Sequence, residues 1–136
     1  PGDVRGLRLL ASNEASLGNF THAHRVQAQL ITALGSLAEA EDFANLADML
    51  VLAAGGYVSP EAEAALARAL QIDPTNGAAR YYSGQLYAQI GRPDLAFQLW
   101  EQLLLEGPET AIWIPPIRAQ IEELALRAGI SFVFQG

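Results

Sequence analysis

Apolar side chains recur at spacings of three and four along most of this chain. Leu7, Leu10 and Ala11 begin the pattern, Phe43, Leu46, Ala47 and Leu50 continue it, and Ala62, Leu66 and Ala69 repeat it. Ile117, Ile121, Leu124 and Ala128 carry it through the last third. That period places each apolar set on one side of a helix. The breaks between the periodic stretches are chemically marked. Ser59 suits an N-cap, Pro60 the first helical position, and Glu61 and Glu63 complement the positive helix start. Gly18 and Gly91 stand where helices must stop, as left-handed residues. Pro115 and Pro116 open a final helix that Gly129 ends. The pattern predicts an all-α chain of seven helices, arranged as three pairs and a terminal cap.

The pairs also repeat. Pro74 and Pro108 lie 34 residues apart, and between them Gly84, Tyr87, Gly91, Ala96 and Trp100 fall at successive positions of the tetratricopeptide signature. Trp100 takes the large aromatic site of a second helix, and Gly84 the small site where two helices touch. Residues 75–108 therefore form a clear repeat, preceded by weaker ones at 4–37 and 38–74. In the first, Leu7, Leu10, Ala11, Gly18, Phe20 and Ala23 keep the spacing. There Glu14 replaces a tyrosine, and Gln27 stands where a large apolar residue is usual. The second fits only if about three extra residues are inserted, and these fall in the joint Gly55-Gly56-Tyr57-Val58-Ser59. Tyr57 and Val58 either pack on the neighbouring pair or line a groove mouth, with packing favoured. The expected organisation is one tetratricopeptide-repeat superhelix over 1–130, its capping helix at about 115–128, and a tail at 131–136. Those last residues differ in texture and could be a frayed end, a docked strand or a cloning remnant.

Composition narrows the class. Hydrophobic residues are 51% of the chain and 24 of the residues are Ala, which suits closely packed helices. There is no Cys, which excludes disulfides, thiolate catalysis and Cys-held metal. All eight basic residues are Arg and the net charge is −7, the wrong balance for a nucleic-acid backbone. The charge either serves solubility or attracts a basic partner while repelling anionic membranes. No apolar run approaches the roughly 18 residues of a membrane span. Met49 is the sole Met and the first residue is Pro1, so a leader or anchor upstream is compatible with the sequence.

Groups for catalysis or cofactor binding are missing. His22 and His24 sit two apart, which on a helix separates them by about 200° and prevents joint chelation. No serine has an elbow or triad partners, and Gly55-Gly56 lacks the Lys-Ser/Thr of a phosphate loop. Glu39, Glu41, Asp42, Glu122 and Glu123 read as solvated helix surface. The expectation is no enzyme, no metal and no cofactor.

Binding is the natural role of stacked helix pairs, whose first helices line a concave side. The expected peptide-binding positions are Arg8 and Ser12 in the first repeat, Glu41, Ala44, Asp48 and Val51 in the second, and Tyr81, Gln85 and Gln89 in the third. Tyr81 would supply a stacking surface and the glutamines hydrogen bonds. No basic cluster is present to clamp a terminal carboxylate, so a partly apolar peptide carrying positive charge fits best.

The joint, the "DPTNGAARYYSGQLYAQIGRPDLAFQLWEQLL" stretch and "WIPPIRAQIEELA" together closely resemble the C-terminal domain of the CcmI (CycH) c-type cytochrome biogenesis family, over about residues 41–128. The resemblance implies a periplasmic domain of an inner-membrane-anchored bacterial protein. It implies a chaperone for apocytochrome c that recognises chiefly the C-terminal helix and presents the chain to the haem ligation complex. The alternative is a general scaffold that assembles another complex.

Overall fold

Glycine, proline and short polar side chains decide where each helix begins and ends. The computed structural model describes residues 3–131. Among them every regular element is helical: α1 (Val4–Ser16), α2 (Phe20–Leu34) with a 3-10 turn at Gly35–Leu37, α3 (Ala40–Ala53), α4 (Pro60–Ile72), α5 (Gly77–Gln89), α6 (Pro93–Glu106) and α7 (Ile114–Arg127). The expected tail lies, from residue 132 on, outside the described residues. After α1, Gly18 takes φ 82°, and the Asn19 N–H reaches back to the Glu14 carbonyl at 2.9 Å. Gly91 repeats this after α5 with φ 80°, the Arg92 N–H bonding the Tyr87 carbonyl at 2.8 Å. This left-handed closure satisfies carbonyls that the helix end would otherwise leave open.

The long joint between α3 and α4 uses the same device. The Gly56 N–H bonds the Val51 carbonyl at 2.9 Å, and the Ser59 Oγ then accepts the Ala62 N–H at 3.1 Å to start α4. Its two central side chains divide the expected roles. Val58 is 2% exposed and anchors the joint, whereas Tyr57 is 53% exposed and does not pack.

The chain forms two compact units, Pro1–Ala79 and Arg80–Gly136, with the boundary inside α5. In the first unit α2 packs on α1, α3 on α2 and α4 on α3. The contacts are made by small residues: Ala11, Ala23, Ala47, Ala62 and Ala69 are all buried, so the helix axes can lie close. Leu30, Leu50 and Leu66 fill the space beside them.

The residues that break the repeat pattern prove to be a polar node. Gln27 is buried and donates from Nε2 to the Asp42 carbonyl at 2.9 Å. The Asp42 side chain, expected on a solvated surface, is buried too. Its Oδ2 accepts the Glu39 N–H at 2.8 Å, capping α3, and its Oδ1 accepts from Arg8 at 2.9 Å. Three helices thus meet at one residue, whose carboxylate takes the bonds from Arg8 and Glu39 and whose backbone carbonyl takes the one from Gln27. The carboxylate tolerates burial because both oxygens are partnered, one of them by a cation. Glu14, in the tyrosine position, instead accepts from Asn19 Nδ2 at 2.9 Å and ties the α1–α2 turn.

In the second unit Trp100 lies over Gly84. A Cβ at Gly84 would overlap Trp100 Nε1, and that Nε1 donates to the Tyr81 carbonyl at 3.0 Å. Ala96, Phe97, Trp100 and Leu103 of α6 share a core with Ile117, Ile121, Leu124 and Ala125 of α7. The last helix therefore covers the apolar face of α6. Tyr82 and Leu86 of α5 are half-buried.

Gly84→Ala is expected to lower the unfolding free energy by about 1–3 kcal/mol through overpacking, although alanine is the better helix former by about 1 kcal/mol. Urea denaturation followed by Trp fluorescence measures it; a more stable variant would show that the indole can move aside. Asp42→Ala is expected to cost about 1–3 kcal/mol by removing the cap and the Arg8 acceptor together. The same denaturation experiment tests it, and a loss below about 0.5 kcal/mol would contradict the role of the node.

Candidate functional site

The first helices of the repeats carry the expected binding residues, and helix geometry sorts them into faces. On α1, Arg8 and Ser12 are one turn apart and exposed. Arg8 is not a free cation: its guanidinium is held at 2.9 Å by Asp42, one repeat further along the chain. Half of its side chain remains open to solvent.

On α3 the expected set splits in two. Ala44 is 1% exposed and Val51 2% exposed, so neither can touch a ligand, and their assignment to the binding surface is corrected. The reason is that α3 is flanked by both α2 and α4, which leaves it one uncovered side. Residues 44 and 51 are seven apart and share a buried side. The side of α3 that α2 and α4 do not cover carries Glu41, Asn45, Asp48 and Leu52, at spacings of four, three and four. Glu41 and Leu52 are exposed, while Asn45 and Asp48 are half-buried. Glu41 accepts a long hydrogen bond, 3.4 Å, from Asn76 Nδ2. Asn45 was missed from the sequence, although its spacing from Glu41 and Asp48 is the helical one.

In the second unit Tyr81, Gln85 and Gln89 follow at intervals of four and share a face of α5. Tyr81 and Gln85 are half-buried and Gln89 is exposed. One face of the Tyr81 ring is already taken: it stacks on Trp100 with centroids 5.6 Å apart and planes at 15°, and Tyr82 meets it edge-on at 5.0 Å. A ligand therefore has at most the opposite face of this ring. Arg80 begins this part of α5 with its side chain 12% exposed, making a two-pronged bond to Glu106 at 2.9 and 3.1 Å. These hydrogen bonds hold the Glu106 carboxyl below its ordinary range.

The histidines lie apart from these faces. His22 Nδ1 is 3.4 Å from Glu14 Oε2, and the Glu14 carboxyl is lowered first by its hydrogen bond from Asn19 and then by His22. A polar hollow of about 500 Å³ sits beside them, lined by Asn19, Thr21 and Arg25 among others. Among the described residues no three His, Cys, Asp or Glu side chains are grouped to hold a metal ion.

Residues 60–114, spanning α4 to α6, match the family model described as tetratricopeptide repeat. Over 121 residues, 89% of its length, the chain is 33% identical to the cytochrome c-type biogenesis protein CycH of Bradyrhizobium diazoefficiens. Residues 60–114 thus match tetratricopeptide repeat, and most of the chain is similar to a CycH protein. The chain is also 30% identical over 125 residues to the protein of the same name from Rhizobium meliloti. The chain spans about a third of the length of these curated relatives, 32% of each. No helix among the described residues is long and apolar enough to cross a membrane.

The lowered Glu106 carboxyl has a consequence for acid stability. Its folded value lies below the ordinary glutamate value of about 4.5, so its contribution is complete above that value and is lost as pH falls through the folded one. Glu106→Gln is expected to be less stable than the parent above about pH 5, with the gap closing below about pH 4. Thermal midpoints of both proteins from pH 3 to 6 measure this. A gap that does not change with pH would assign the effect to packing.

Proposed function

We propose that this chain is the peptide-binding part of a periplasmic chaperone for c-type cytochrome maturation, belonging to a protein anchored in the bacterial inner membrane. It binds apocytochrome c chiefly through that protein's C-terminal helix and presents it to the haem ligation complex. The observation that carries the reading is the similarity to CycH proteins across 89% of the chain. The faces support it. The outward side of α3 combines the carboxylates of Glu41 and Asp48 with the exposed Leu52, a chemistry that suits an amphipathic helix with a basic flank. Gln85 and Gln89 add amide donors and acceptors on α5. The proposed role is one of binding, which the outward sides of α3 and α5 serve.

An apocytochrome c C-terminal peptide is expected to bind, and a scrambled peptide of equal charge to bind at least about tenfold more weakly. Isothermal titration measures both. Replacing Gln85 and Gln89 together by Ala is expected to weaken the native peptide about tenfold, and Glu41→Gln with Asp48→Asn to flatten its salt dependence. Equal binding of the native and scrambled peptides would instead indicate a general scaffold for another assembly.

A further inference from the structure

The outer face of α7 carries a second constellation, independent of the faces on α1, α3 and α5. Opposite the buried Ile117, Ile121 and Leu124, the exposed residues Pro115, Ala119, Glu122 and Leu126 run in a stripe at spacings of four, three and four, with Glu123 beside it. Leu126 is 79% exposed. Where α7 ends, Glu122, Glu123, Ala125, Leu126, Ile130 and Ser131 line an open hollow of about 510 Å³.

The charges around this hollow are of one sign. Glu122 and Glu123 are in no ion pair among the described residues. The two cations of the same helix are engaged elsewhere: Arg118 with Glu109 at 2.7 Å, and Arg127 with the Ala88 carbonyl at 3.4 Å. An exposed leucine above a hollow, with an unpaired carboxylate on each side, is complementary to an apolar side chain flanked by cations.

The geometry points to this face as a docking surface for a basic amphipathic helix of a protein partner. One apolar side chain of that helix enters the hollow onto Leu126 and Ile130, while Lys or Arg side chains on either side meet Glu122 and Glu123. Contact with Leu126 supplies the attraction that survives salt, and the carboxylates select the sign of the partner and speed its approach.

The probe is a synthetic helical peptide with a Leu stripe flanked by Lys, titrated into the 136-residue chain and followed by amide NMR shifts. Shifts are expected at Ala119, Glu122, Leu126 and Ile130. Leu126→Asp, at a site too exposed to unfold the helix, is expected to weaken binding about tenfold. Glu122→Gln with Glu123→Gln is expected to weaken it about fivefold at low salt, with no change in binding of the apocytochrome peptide. Equal affinity for a version with Glu in place of Lys, or shifts confined to Tyr81, Gln85 and Gln89, would overturn the proposal. So would self-association abolished by Leu126→Asp, which makes the occupant a second copy. Tighter binding after removal of residues 132–136 would make it the chain's own end, and would overturn it as well.

Discussion

Small residues stand at several of the helix contacts of this chain, and the packing around them depends on their size. In the first unit Ala11, Ala23, Ala47, Ala62 and Ala69 are buried at the contacts. In the second, Gly84 has no room even for a methyl group beneath the Trp100 indole. Larger side chains, among them Trp100, Leu30, Leu66 and Ile121, fill the space beside these contacts.

A polar node can stand inside the first unit because its buried groups are paired. Gln27 and Asp42 occupy buried positions, and each is satisfied by a partner on another helix or by a helix end. Buried polar groups satisfied in this way contribute geometry as much as energy, because a shift of either helix would leave a donor or acceptor unpaired. Arg8 shows the same economy in reverse. It lies on the surface of α1, yet its charge is used to hold α3 in place.

For binding, the consequence is that each first helix has one narrow outward stripe. On α3 that stripe mixes carboxylates with Leu52, and on α5 it is formed by Gln85 and Gln89 beside a Tyr81 ring already stacked on one side. Such stripes read a partner's helix by alternating polar and apolar contacts. The outer face of α7 differs in kind, because its carboxylates border an open hollow where the helix ends.

The helices, their glycine and Ser-Pro boundaries and the capping role of α7 were legible in the sequence. These features follow from local rules of periodicity, φ preference and side-chain capping, which act over a few residues. The place of Trp100 over Gly84 was legible as well, through the 34-residue spacing of the repeat. The sides of α3 were not. Ala44 and Val51 sit at positions that would face a groove in an isolated helix pair, but α2 and α4 cover them from both sides. Nor could the sequence show that Asp42 would be buried, that Gln27 would find its carbonyl, or that Tyr57 would turn outward while Val58 turned in. Local sequence determined where the helices run and which residues could face inward. Only the tertiary structure decided which faces remained free, because that depends on neighbours that are distant along the chain.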